Sequence, residues 1–128
     1  MVEFALVAVL FVSILYALIY FGMALATKQR VTNAAAEGAR SAVGAPDAPT
    51  AVSRAEARVL GLLDAPNGRY TVAPVAASCP APSSAGAECI TVTVTYNWDT
   101  HPVIPAAPGL GVLPLGTIVS KAVVQYAG

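Results

Sequence analysis

Apolar residues dominate positions 4–27, a stretch with no charge and no proline. A single acid, Glu3, precedes it, and two cations, Lys28 and Arg30, follow it. Twenty-four residues rising about 1.5 Å each give a helix of about 36 Å, enough to cross a hydrocarbon core of about 30 Å. The helical pattern continues beyond Thr27 through the alanine-rich segment 31–43, where Glu37 and Arg40 stand three apart. Gly44-Ala45-Pro46 reads as a stop. The pattern thus predicts one helix over residues 2–43, about 60 Å long. Its first half is apolar all round and its second half amphipathic. Small residues recur along the apolar half, at Ala5, Ala8, Ala17, Gly22, Ala24 and Ala26, and such residues let helix backbones approach closely.

The remainder changes period twice. Asp47 and Pro49 mark a second helix start, with Asp47 as the cap. Val52, Ala55, Val59, Leu62 and Leu63 follow as an apolar stripe, and Asp64-Ala65-Pro66-Asn67-Gly68 ends it. Alternation then predicts three strands. The first covers 69–75, with Pro74 marking an edge or a strand end. The second has Ile90, Val92, Val94, Tyr96 and Trp98 on one face and Thr91, Thr93, Thr95 and Asn97 on the other. The third covers 117–126, with Ile118, Ala122, Val124 and Tyr126 inward. Between the last two lies a proline-rich segment, 101–116. Its Val103, Ile104, Leu110, Val112 and Leu113 are expected to lie on the sheet or on a neighbouring subunit. A sheet this small needs the long helix across one face to make a core. The expected fold is α+β: a long N-terminal helix packed on a small antiparallel sheet of about three strands, with one short extra helix. The expected division is a helix over 1–45 and a small head over 46–128.

Composition narrows the function. Of 128 residues, 56% are hydrophobic and 11% charged, with no net charge; soluble domains carry about 25% charged residues. No basic patch stands out, so nucleic acid is set aside as a partner. The two cysteines, Cys79 and Cys89, bracket a run of turn formers. A metal would need more ligands than these and the lone His101. They read as a disulfide, which places the head in an oxidising compartment. No nucleophile stands with a base, and neither a phosphate loop nor a paired-carboxylate cleft is visible. The chain reads as a structural part without cofactor or metal. His101 is expected in a loop, Trp98 and the tyrosines in the core, and Ser83 and Ser84 are the candidate sugar carriers.

The apolar segment is too long for a cleaved secretory signal and nothing basic precedes it. Lys28 and Arg30 alone would keep the head in the cytoplasm by the positive-inside rule, whereas the cysteines place it outside. A short basic leader removed before Met1 would reconcile the two.

The segments Met1-Val2-Glu3-Phe4-Ala5-Leu6-Val7 and Ala34-Ala35-Ala36-Glu37-Gly38-Ala39-Arg40 resemble the TadE-like pilins of tight-adherence (Flp-type) pili, a branch of the type IV filament superfamily. The paired cysteines, the strand ending at Tyr96-Asn97-Trp98, the proline-rich loop and the last strand extend the resemblance over the whole chain. It implies a type IV pilin-like fold and a prepilin held in the inner membrane by a single span. Its helix later leaves the bilayer and packs in the core of an extracellular filament for surface attachment. The implied partners are copies of itself, other pilins and the assembly machinery. Glu3 matches by motif the acid that pairs with a neighbour's terminal amine, although it stands nearer the N-terminus here than in the wider family. Phe4, Leu6, Val7, Leu10, Phe11, Ile14, Leu15, Leu18 and Ile19 are then the filament-core residues. The alternative is a signal-anchored envelope protein with an extracytoplasmic domain that does not polymerise.

Overall fold

A computed structural model describes residues 2–64, 68–82, 86–104 and 115–127. The fold is α+β, as the pattern predicts. Helix α1 spans Val2–Ser41, α2 spans Ala48–Leu63, and strands β1 (Tyr70–Ser78), β2 (Glu88–Asn97) and β3 (Thr117–Ala127) follow. The sheet is antiparallel in the order β1-β2-β3. Both helices cover the same face, α1 over β2 and β3 and α2 beside it over β1. The opposite face carries the threonines of β2 flanked by Thr71, Ala73 and Val75 of β1 and Val119, Lys121 and Val123 of β3.

The chain turns are chemically explicit. Helix α1 ends in a tight turn in which Ala45 N–H donates to Ala42 O. Gly44 takes φ +75° there, a conformation that a Cβ disfavours. Asp47 sits at the N-cap of α2 with an extended backbone, but its carboxylate makes no cap hydrogen bond; the Asp47 carbonyl accepts from Ala51 N–H instead. Asp47 is thus the cap that the sequence indicates, without the side-chain bond. Helix α2 buries Ala51, Ala55 and Val59, while Leu62, expected on the stripe, is exposed. Residues 65–67 of the expected helix end lie outside the described residues. Strand β1 continues through Pro74 to Ser78, because an edge strand needs no outward N–H at that position.

The core joins residues from both sides of the expected 45/46 boundary. Val31, Ala34, Ala35, Ala39 and Ala42 of α1 pack with Ala51, Ala55 and Val59 of α2 and with Ile90, Val92, Val94, Tyr96 and Trp98 of the sheet. Alanine recurs because the helices cross closely. A Cβ on Gly38 would overlap Val59 Cγ2 and sit 3.2 Å from the Ala55 carbonyl oxygen. At the far end of the head, the Cys79–Cys89 disulfide ties the end of β1 to the start of β2, with Cα atoms 4.8 Å apart. It closes a loop of about eleven residues, worth about 2–3 kcal/mol by chain entropy. Tyr126 Oη donates to Glu88 Oε2 at 2.7 Å beside it. The Glu37–Arg40 pair forms at 3.8 Å on the surface, where such pairs contribute little.

The close approach at Gly38 yields a test. Gly38→Ala should destabilise the head by about 1–3 kcal/mol, because one of the two obstructing groups is backbone and the helices must separate. Urea unfolding reads this directly; an unchanged midpoint would show that α1 and α2 are not in contact there.

Candidate assembly and membrane-insertion site

The front of α1 stands clear of the head. Phe4, Leu6, Val7, Leu10, Phe11, Ile14, Leu15, Leu18 and Ile19 are all exposed, Phe4 at 81% and Leu10 at 62%. The most apolar 18-residue window of the helix has a mean hydropathy of 2.6, and only 6% of it is buried. A helix of this length buries an apolar stripe when it belongs to a water-soluble fold. Here the apolar surface extends round the whole circumference, as a helix does in lipid or inside a bundle. The Ser13 hydroxyl gives its hydrogen to Val9 O at 2.8 Å within the helix, so it is compatible with an apolar surrounding. Glu3 lies in the first turn, where a carboxylate is favoured by the helix dipole.

The head does not begin where the apolar run ends. Tyr16 is the first residue of α1 packed on the core, and Tyr20, Ala24, Thr27 and Val31 continue the contact at intervals of three and four. Twelve residues of the 4–27 run, from Tyr16 onward, are therefore shared between an apolar outer side and the head. The segment is apolar all round, as expected, but the head covers one side of its second half. The buried Thr27 hydroxyl is satisfied by Met23 O at 2.9 Å.

The junction is aromatic. Trp98 Nε1 donates to Tyr20 Oη at 2.7 Å in a buried contact, and the two rings meet edge to face with centroids 5.5 Å apart. Tyr16 and Phe21 lie 6.1 and 6.3 Å from Tyr20. Tyr96 lies 6.0 Å from Trp98 and 5.0 Å from Tyr70. Six of the nine aromatic residues in the chain thus form one chain of ring contacts around the emerging helix. The base of the following loop is fixed to it. Trp98 N–H donates to Gly116 O at 3.2 Å, and Asp99 Oδ1 accepts from Gly116 N–H at 3.1 Å. Tyr96 donates its hydroxyl hydrogen to the carbonyl of His101. His101 itself is an exposed loop residue, as expected. Ile104 and Leu115 pack against the core, whereas Val103 is exposed. The prolines and apolar residues of 105–114, and the serines Ser83 and Ser84, lie outside the described residues.

Tyr20 and Trp98 are in the core, as expected, but the apolar run around Tyr20 shows no period that marks which side is covered. Gly38 falls in the matched motif but carries no sign of a close approach. The small residues singled out on the first half behave differently from one another: Ala24 packs against the head, whereas a Cβ on Gly22 would meet nothing. Among the described residues no three His, Cys, Asp or Glu side chains come together as metal ligands.

Removing the Tyr20 hydroxyl should be costly. Tyr20→Phe leaves the buried Trp98 indole N–H without this acceptor, a loss of about 1–3 kcal/mol. The chain has one tryptophan, so its emission should shift in the folded variant and its denaturation midpoint fall; an unaltered midpoint would contradict the buried bond. The head should also weaken in alkali. The hydrogen bond to Glu88 raises the pKa of Tyr126 above its ordinary 10.0, aided by burial and by the charges of Glu88 and Asp47. Burial raises that of Tyr96, aided by Tyr70 and opposed by Arg69. With the folded values above the unfolded ones, this stabilisation is complete below about pH 10 and is lost as pH climbs through the folded values. Tyr126→Phe should flatten that alkaline decline in a pH series of urea melts; a decline as steep as the parent's would contradict the Glu88 contact.

No curated protein and no solved structure matches the chain. The family model described as TadE-like protein matches residues 1–40, which is α1 almost to its last residue. The match bears out the resemblance carried by the two N-terminal motifs: the long helix of this chain is similar to that of TadE-like proteins.

Proposed function

We propose that the chain is a structural pilin subunit, held in the inner membrane by its N-terminal helix and then polymerised through that helix into an extracellular Tad pilus for surface attachment. The observation that carries this reading is the bare front of α1, apolar on every side and continuous with a folded, disulfide-closed head. The TadE-like match and this helix fit a Tad-pilus-related, membrane-anchored protein; the filament is the further step. A helix that is stable in lipid leaves it only if other apolar surfaces replace the acyl chains. Packing against the same helix of many neighbours supplies them, and such head-to-tail contacts repeat without closing. Other pilins and the assembly machinery are the remaining partners of this reading, and no catalytic role is proposed.

Glu3 sets the register in this scheme. A carboxylate in an apolar core costs several kcal/mol unless a cation meets it, and a neighbour's terminal amine is the partner proposed. Glu3→Ala should leave the head folded, with an unchanged melt, and cut the yield of sheared filaments at least tenfold. Parental filament yield from that variant would remove Glu3 from assembly. A folded, membrane-retained chain that never enters filaments in the parent would favour the anchored envelope protein instead.

A further inference from the structure

The exposed apolar strip continues past the point where the head begins. Phe21 and Leu25 are 52% and 62% exposed, on the turns whose inner side holds Tyr20 and Ala24 against the core. Next to them, α1 and β3, an edge strand of the sheet, border a groove of about 280 Å³. Phe21, Leu25, Leu115 and Ile118 give it an apolar wall. Among the described residues its polar side chains are Lys28 and Thr117, and no acid lines it.

Helix arithmetic places this groove across the edge of the hydrocarbon core. If Glu3 marks one boundary, about 20 residues are needed to cross a core of about 30 Å. The opposite boundary then falls near Met23. Phe21 lies on the acyl side of that level. Lys28 lies seven positions, or about 10 Å, further out, among the headgroups. Tyr20, with the Trp98 indole bonded to it, lies within one helical turn of the Met23 level, where tyrosine and tryptophan are favoured. An occupant must therefore be apolar at the depth of Phe21 and anionic at the depth of Lys28.

We propose that this groove is a phospholipid site: one acyl chain lies against Phe21, Leu25, Leu115 and Ile118, and the phosphate meets the Lys28 ammonium. An anionic headgroup is preferred, because the groove offers a cation and no acid to hold a zwitterionic lipid's positive end. The site rests on the membrane-resident stage proposed above. It gives that stage a defined depth and a fixed rotation about the helix axis.

The test uses the full chain in phosphatidylcholine vesicles containing trace spin-labelled phosphatidylglycerol or phosphatidylcholine, read as the motionally restricted fraction. The native chain should restrict the glycerol lipid about fivefold more strongly, the effect of one cation near a membrane surface. Lys28→Gln should bring the two lipids to parity. Thr117→Phe, which fills the groove and keeps the cation, should also abolish the preference. A native chain that restricts both lipids equally overturns the site. So does a preference that survives Thr117→Phe, which would assign it to general surface charge. Efficient disulfide cross-linking between Leu25→Cys copies, with no restricted lipid, would give the groove to a second subunit and overturn the proposal. Alkaline carbonate extraction separates the two readings: a chain washed from the vesicles sinks the membrane stage and the groove together. A retained chain without lipid preference sinks the groove alone.

Discussion

The seat of the head on α1 is the contact on which the rest of the structure depends. A three-stranded sheet has too little surface to fold around itself. It gains a core only because α1 and α2 cover one face. The covering stripe of α1 starts at Tyr16 and runs past Gly38. Its two ends are held in different ways. At the membrane-facing end, the hydroxyl of Tyr20 accepts from the Trp98 indole; at the other, the glycine lets α1 approach Ala55 and Val59. Between them small side chains keep the helix close to the sheet. The head is thereby joined to a helix whose other half is exposed among the described residues.

That division resolves a conflict between solvents. The first half of α1 is unsuited to water and the head to lipid, so their junction must be compatible with both. Rings with a polar atom meet that need, since their bodies are apolar and their tips form hydrogen bonds. Tyr16, Tyr20, Tyr70, Tyr96 and Trp98 concentrate there. The far end of the head, by contrast, is closed by the disulfide and by the Tyr126–Glu88 contact. In the function proposed, a head closed in this way stays folded while the surroundings of the front helix change from lipid to protein.

Much of this was legible in the chain. Alternation along β2 put Ile90, Val92, Val94 and Tyr96 inward, and the structure places them there. The edge reading of Pro74 and the cysteine pair also hold. The seam on α1 was less legible. Periodicity reveals a buried face only when the other face is polar, and around Tyr20 both are apolar. Thr27, between the apolar run and Lys28, gave no hint that it is buried. The glycine at 38 was visible as a motif letter, not as a contact, because the obstructing groups come from α2. Asp47 is the N-cap of α2, as the sequence indicated, although its carboxylate makes no cap bond.

The central claim is that the uncovered surface of α1 has two successive partners, acyl chains and then its own copies. Electron microscopy of sheared surface material, labelled with antibody to the head of this chain, tests it most directly. The account predicts label repeating along thin filaments. Label confined to membrane fragments, with filaments present but bare, would contradict it.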